Sequence, residues 1–98
     1  MATAKWTSRA ELDLEEIAFH VAIDDGRPAT ADQLVDDIKA TADLYATQPQ
    51  MGTRVPELSE KLRVVPFKRW VIIYEPIDNG IRIRAIVDAT RDYPNWRT

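Results

Sequence analysis

Hydrophobic positions along the chain change their period near residue 53. Before that point apolar side chains recur every three or four residues, as Leu14, Ile17 and Val21 do, which is typical of an amphipathic helix. A second helical series follows Pro28, a residue that suits a first helical turn. The short link between the two series predicts an antiparallel helical hairpin.

Local signals place the start and end of the first helix, and a strand before it. Ser8 followed by Glu11 has the spacing of a capping box, in which each side chain satisfies a free amide of the first turn. Gly26 predicts the end of this helical region. The preceding stretch TAKWT, residues 3–7, is a candidate short strand.

Beyond residue 53 the period becomes two, which is typical of β-strands. Three runs predict three successive strands: KLRVVPF (61–67), RWVIIYEPI (69–77) and IRIRAIVDA (81–89). The hairpin signal Asp78-Asn79-Gly80 joins the last two, and Pro66 predicts that the first lies at a sheet edge. The middle run is apolar throughout residues 70–74, which predicts a central strand covered on both faces.

Apolar and charged residues alternate in the last predicted strand. This alternation predicts that the apolar residues lie on one face of the sheet and the charged residues on the other. Ile83, Ala85 and Val87 form the apolar set, and Arg82, Arg84 and Asp88 form the charged set. The predicted fold is α+β and occupies one domain, residues 1–98. It consists of an N-terminal strand and an antiparallel two-helix hairpin packed on one face of an antiparallel sheet, with a C-terminal three-stranded meander.

Composition narrows the class of protein. The chain is 45% hydrophobic and 30% charged, as globular proteins are. No apolar run approaches the roughly eighteen residues of a membrane span, so no membrane partner is expected. The absence of cysteine fits a reducing compartment, and a cytoplasmic location is expected. A single histidine, His20, and three glycines supply no metal-binding or phosphate-cradling motif, so no cofactor and no metal are predicted.

Charge divides the chain into two halves. Residues 1–53 carry four basic and ten acidic side chains, a net −6, whereas residues 54–98 carry nine basic and six acidic side chains, a net +3. Such an asymmetry bears on binding partners and not on the fold.

Cations and one tryptophan of the basic half are candidate partner-binding residues. They are Arg63, Lys68, Arg69, Arg82, Arg84, Arg91 and Trp96. One interpretation is an anionic partner, either a phosphate backbone or an acidic peptide. The other is that the cations are solvated strand residues, which discourage pairing between sheet edges.

Three stretches resemble one known family in order and spacing over nearly the whole chain. In the first stretch, WTSRAELDLEEIAFHVA, the residues that match the family pattern are Ala10, Asp13-Leu14 and Ile17. In the second, ATQPQMGTRVPEL, they are Pro49, Gly52 and Arg54. FKRWVIIYEPIDNGIRIRAIVDATRD carries Tyr74, the turn at 78–80 and Arg91-Asp92. The chain thus resembles toxins of the RelE/ParE superfamily from bacterial type II toxin–antitoxin modules.

The resemblance implies a cognate antitoxin whose flexible C-terminal segment wraps the toxin. It also implies one of two activities. RelE-like members cut mRNA on the ribosome with cationic and aromatic side chains, and ParE-like members inhibit DNA gyrase and are not known as catalysts. A basic sheet and tail would suit an acidic amphipathic antitoxin segment.

Most of the RelE-like nuclease set is missing from this sequence. Its two alternating lysines fall at about Leu62 and Val64, and its arginine after the aromatic residue falls at Val71. The expectation is therefore a ParE-like gyrase inhibitor that is not an enzyme. Two alternatives stay open: an endoribonuclease acting on the ribosome and mRNA through Arg63, Lys68, Arg91 and Trp96, and an inactive homologue that only binds its antitoxin.

One further departure concerns Asp88. Family members often carry a histidine before the Arg-Asp stretch, where this sequence has Asp88. An ion pair between Asp88 and Arg91 would hold Arg91 for structure instead of function.

Overall fold

The computed structural model describes residues 2–89, which form five strands and two helices with two short helical turns. The elements are β1 (Thr3–Trp6), α1 (Ser8–Phe19), α2 (Pro28–Thr47), β2 (Thr53–Arg54), β3 (Arg63–Phe67), β4 (Trp70–Ile77) and β5 (Gly80–Asp88). A π-helical turn, His20–Asp24, continues α1, and a 3-10 turn, Pro49–Met51, follows α2. Within the described residues no helix has the length and apolar character to cross a membrane.

The strands form a single sheet in the order β1-β5-β4-β3-β2. The predicted meander of β3, β4 and β5 is confirmed, and all its pairings are antiparallel. β1, however, runs parallel to β5, from Thr3 opposite Gly80 to Trp6 opposite Ile83, so the sheet is mixed and not wholly antiparallel. Because of this direction, β1 ends beside the middle of β5, and α1 begins there and crosses the sheet.

Both faces of the sheet are covered, and the α+β architecture is confirmed. The two helices pack on one face, here called the helix face, where Ile17, Leu34 and Ile38 contribute to the core. The link between β2 and β3 covers the opposite face, here called the far face, with Val55 and Leu62. β4 lies between two neighbours and is buried on both sides, as its sequence predicts.

A β-bulge in β5 changes the predicted faces of that strand. Ile73 pairs with Ala85 but Tyr74 pairs with Ile83, so Arg84 is an extra residue without a partner in the register. Ile83 therefore belongs to the helix-face core, whereas Ala85 and Val87 belong to the far-face core. The assignment of these three apolar residues to one face is wrong, because an inserted residue shifts the period-two alternation by one.

Thr7, and not Ser8, caps α1. The Thr7 Oγ1 atom accepts a hydrogen bond from the Ala10 amide at 3.1 Å, and Ser8 is the first helical residue. The same hydroxyl lies 3.0 Å from the Ile83 carbonyl oxygen and 3.2 Å from that of Arg84. Thr7 thus joins the end of β1, the start of α1 and the bulged part of β5, a contact that no local pattern predicts.

Replacing Thr7 with alanine is expected to lower the free energy of unfolding by about 1–2 kcal/mol, the usual cost of losing a cap side chain. Ser8→Ala is the matched control and should change the stability little, since Ser8 does not cap the helix. Urea unfolding followed by circular dichroism compares the two variants. Equal losses would contradict the assignment of the cap to Thr7.

Candidate partner-binding site

The structure separates the predicted partner-binding residues into three places. Arg63 lies at the start of β3, Arg82 and Arg84 lie on β5, and Lys68 and Arg69 form the turn between β3 and β4. Arg91 and Trp96 lie outside the described residues. The cations of the second half of the chain therefore do not form one continuous surface among residues 2–89.

Arg63 binds the backbone after α2. One guanidinium nitrogen donates to the Gln50 carbonyl at 3.0 Å and to the Gly52 carbonyl at 2.8 Å. The other nitrogen donates to the Gln50 side-chain oxygen at 2.6 Å. Three acceptors hold this side chain, which gives Arg63 a structural role in fixing the turn that precedes β2.

Tyr74 holds the same turn from inside the core. Its buried hydroxyl accepts from the Gly52 amide at 2.9 Å and donates to the Pro49 carbonyl at 2.8 Å. Burial raises the pKa of the Tyr74 hydroxyl above its ordinary value of 10.0, against the opposing effects of the Gly52 amide and Arg63. Tyr74 thus joins β4 to the chain leaving α2.

This pKa predicts a loss of stability in alkali. The folded chain keeps the Tyr74 proton longer than the unfolded chain does, so its stabilising contribution is complete below pH 10.0 and falls as the pH rises through the raised pKa. Urea unfolding at pH 8 and above pH 10.0 should show a steeper decline for the wild type than for Tyr74→Phe. Tyr45→Phe keeps the Tyr74 hydroxyl and removes only the smallest cause of its raised pKa, so this variant should decline nearly as the wild type does. Equal declines in all three proteins would contradict the prediction.

Arg82 and Arg84 share one carboxylate on the far face. Arg82 lies 2.9 Å and Arg84 3.5 Å from the same Glu75 oxygen. Glu75 faces Arg82 directly across the β4–β5 pairing, and the bulge brings Arg84 to the same side. The charge of one arginine is thereby offset, so this group presents about one net positive charge.

Lys68 and Arg69 form a tight turn at one end of the sheet. Lys68 adopts a left-handed backbone with φ of 55°, as the first central residue of a two-residue hairpin turn commonly does. Arg69 binds the buried Asp88 carboxylate at 2.9 Å and lies 5.5 Å from the centre of the Trp70 ring. Among the described residues the ion-pair partner of Asp88 is thus Arg69, while the expected partner, Arg91, lies outside them.

A cleft of about 390 Å³ lies between this turn, the start of α2 and the end of the π-helical turn. Its apolar lining includes Val21, Leu34 and Trp70. Its charged lining consists of three cations and two carboxylates: Arg27, Lys68, Arg69, Asp25 and Asp37. The volume is in the range of ordinary binding pockets, and the lining combines an apolar wall with charged groups of both signs.

Arg27 is a member of this site that the sequence did not mark as a candidate. It belongs to the acidic half of the chain and lies between Gly26 and Pro28, in the link between the two helices. In the fold this link lies beside Lys68 at the cleft. Its only sequence signal is its place in a link between two helices, where functional residues often lie. The acidic and basic halves of the sequence therefore do not form separate acidic and basic surfaces in the fold.

Two members of the alternative nuclease set, Arg63 and Lys68, belong to the described residues, whereas Arg91 and Trp96 lie outside them. Arg63 and Lys68 lie at opposite ends of β3, about 16 Å apart at roughly 3.3 Å per residue. Both groups would have to lie within hydrogen-bond reach of one scissile phosphate to act together. Residues 2–89 also contain no cluster of three or more side chains able to hold a metal ion.

The architecture is shared with a solved structure described as the chromosomal ParDE TA system from P. aeruginosa. The two chains superpose with a TM-score of 0.74 at 23% sequence identity, covering 90% of this chain and 96% of the other. A likeness at this identity establishes the α+β fold alone. A comparison with curated protein sequences gives no significant match.

The sequence itself identifies the family. Residues 4–93 match the family described as ParE toxin of type II toxin-antitoxin system, parDE. The chain belongs to this ParE toxin family, and the resemblance to the ParE branch is confirmed.

Proposed function

We propose that this chain is a toxin that inhibits DNA gyrase in the bacterial cytoplasm and is neutralised by a cognate antitoxin. Membership of the ParE toxin family over residues 4–93 is the observation that carries the proposal. The geometry supports inhibition by binding, because the candidate cations within residues 2–89 are either held by protein groups or placed around a cleft. Endoribonuclease activity receives less support, since Arg63 binds backbone carbonyls and lies far from Lys68.

We further propose that the cleft receives an acidic amphipathic segment of the antitoxin. Lys68 and Arg27 lie at the cleft and form no ion pair within residues 2–89, so they are available to carboxylates of a partner. The apolar lining of Val21, Leu34 and Trp70 would receive the hydrophobic side chains of the same segment. Opposite charges would speed association and burial of the apolar residues would supply affinity.

The gyrase proposal is tested by a supercoiling assay with purified protein and detection of cleaved DNA complexes. Loss of supercoiling, reversed by the antitoxin, is the expected result. Unchanged gyrase activity with a folded protein would reject the proposal. Cleavage of mRNA in a ribosome assay would instead favour the endoribonuclease, and no growth arrest on expression would favour an inactive homologue.

The antitoxin proposal is tested by reversing two charges at the cleft. Arg27→Glu combined with Lys68→Glu should weaken antitoxin binding by at least about tenfold, as truncation of interface charges often does. Lys39→Glu combined with Lys61→Glu makes the same change in net charge at exposed positions away from the cleft and serves as the control. Equal affinities for both double variants would place the antitoxin elsewhere.

A further inference from the structure

The outer side of α1 carries an exposed row of large apolar residues. Leu12, Phe19 and Ile23, here called the α1 stripe, are 58%, 61% and 63% exposed. They follow one another at intervals of seven and four residues, which places them on one side of a helix. The inward side of α1 has its own apolar residues, since Ala10, Leu14 and Ile17 are buried against the sheet. The stripe is therefore not part of the hydrophobic core of residues 2–89.

The π-helical turn His20–Asp24 extends the stripe. Its wider turn is closed by a hydrogen bond from the Asp25 amide to the His20 carbonyl at 3.0 Å, and the His20 ring contacts the Asp24 carboxylate. The wider turn keeps Ile23 exposed beyond Phe19 while Val21 stays buried. Turns of this kind occur often at functional sites of helices.

Carboxylates surround the stripe. Glu15 and Glu16 occupy the turn between Leu12 and Phe19, Glu11 precedes Leu12, and Asp24 follows Ile23, all of them exposed. Residues 11–25 contain no lysine or arginine. An apolar row with an acidic rim is complementary to an apolar segment flanked by lysine or arginine.

The same charges argue against a second copy of this chain as the occupant. Two stripes packed antiparallel about a two-fold axis would place Glu11 of one copy against Asp24 of the other. Each such contact would bring like charges together at a surface that should become dehydrated, which is unfavourable.

We propose that the α1 stripe docks onto gyrase through a gyrase segment with apolar residues and a cationic rim; this inference rests on the proposed function. Gyrase acts on DNA, and enzymes that hold DNA expose lysine and arginine to its phosphates. The antitoxin proposed for the cleft is acidic, so the two partners differ in charge and select different surfaces.

The position of the stripe would also account for the proposed neutralisation by the antitoxin. Val21 and Asp25 line the cleft, while Phe19 and Ile23 of the same stretch are exposed outside it. The two surfaces therefore lie about one helix diameter apart, roughly 10 Å. An antitoxin segment seated in the cleft would obstruct a large enzyme at the stripe without contacting the stripe residues.

The experiment compares binding of three variants to the gyrase holoenzyme by biolayer interferometry, with inhibition of supercoiling as a second readout. Phe19→Ser with Ile23→Ser removes apolar contacts, and Glu15→Lys with Glu16→Lys reverses the rim. Leu44→Ser with Met51→Ser is the control, because these residues are exposed apolar side chains outside the stripe. Both stripe variants should bind gyrase at least about tenfold more weakly, whereas antitoxin affinity and control affinity should stay near the wild-type values.

The outcomes separate this inference from the function on which it rests. A wild-type protein that neither binds nor inhibits gyrase would overturn the proposed function. Wild-type inhibition that both stripe variants retain would overturn the inference alone. If the stripe variants lost antitoxin binding and kept gyrase binding, the stripe would belong to the antitoxin. If they lost a dimer that the wild type forms in sedimentation, the stripe would belong to a second copy of the chain. Either result would also overturn the inference.

Discussion

Replacing Gly80 with alanine is expected to separate β1 from the sheet and to lower the free energy of unfolding by at least about 3 kcal/mol, the range of severe core or backbone substitutions. A Cβ atom at this position would lie 1.9 Å from the Thr3 carbonyl oxygen and 2.8 Å from two further Thr3 backbone atoms. The Gly80 φ of 152° is also a conformation that L-residues rarely adopt. The neighbouring atoms are backbone, so no side chain can rotate away to relieve the contact.

The consequences should spread from β1 to α1. Thr3 pairs with Gly80 at the start of the parallel ladder, and Thr7 caps α1 while contacting β5. Hydrogen exchange should show faster exchange in Gly80→Ala at the amides of Thr3 and Thr7, which donate to the Asn79 and Ile83 carbonyls, in addition to the shift in urea unfolding.

Gly26→Ala supplies the control for Gly80→Ala. Gly26 has a φ of 66°, but no atom lies within 4 Å of the place that an added Cβ atom would occupy, so only the backbone conformation is penalised there. This variant should lose about 1 kcal/mol. If Gly80→Ala were no more damaging than Gly26→Ala, the close approach of β1 to Gly80 would not matter.

Gly52→Ala is expected to cost about 2–3 kcal/mol for a different reason. The Gly52 backbone is extended, with φ of −70°, and imposes no special requirement. A Cβ atom there, however, would lie 2.3 Å from the Tyr74 hydroxyl and 2.7 Å from its ring. Tyr74 cannot move easily, because it is fully buried, hydrogen bonded at both ends of the Pro49–Gly52 turn, and in edge contact with Tyr45.

A double-mutant cycle isolates this contact. Tyr74→Phe removes the nearest atom, so Gly52→Ala should cost less in the Tyr74→Phe background than in the wild type. A coupling of at least about 0.5 kcal/mol is expected for residues in direct contact. Urea unfolding of the four proteins measures it, and additive losses would show that Gly52 is not required by Tyr74.

The turn that contains Gly52 bears on function as well as on stability. Gly52 and Arg63 belong to one hydrogen-bonded turn, so the cation that a nuclease would need is already committed to the fold. Lys68 and Arg27, which form no ion pair within residues 2–89, lie around the cleft at the other end of β3. This arrangement supports the proposal of a toxin that acts by binding, with the antitoxin at the cleft and gyrase at the apolar, acid-rimmed side of α1.

Local pattern was sufficient for the main elements. The two helices, the meander and the central place of β4 follow from hydrophobic periods that involve residues within one or two turns of each other. Pro28 and the Asp78–Gly80 turn also act locally, and their positions at a helix start and a hairpin are as predicted. The family resemblance drew on the same ordered motifs, and the match to the ParE toxin family confirms it.

Tertiary contacts decided the rest. The parallel direction of β1 is a property of its pairing with β5, a strand more than seventy residues away along the chain. The bulge at Arg84 moves Ala85 and Val87 to the far face, although the sequence alternates without interruption. Thr7 became the cap because β5 places the Ile83 carbonyl beside its hydroxyl, a partner that a local capping signal cannot include.

The sequence by itself determined the α+β class, the order of the two helices and the four strands other than β2, and the family of this protein. Only the tertiary structure decided which cations act together, because side-chain grouping depends on which distant segments meet. It tied Arg63 to a turn and paired Arg69 with Asp88. It also brought Arg27 from the acidic half to Lys68. The hydrophobic period along the chain predicts which face of its own element a residue occupies. A binding site depends also on which faces of different elements the fold brings together.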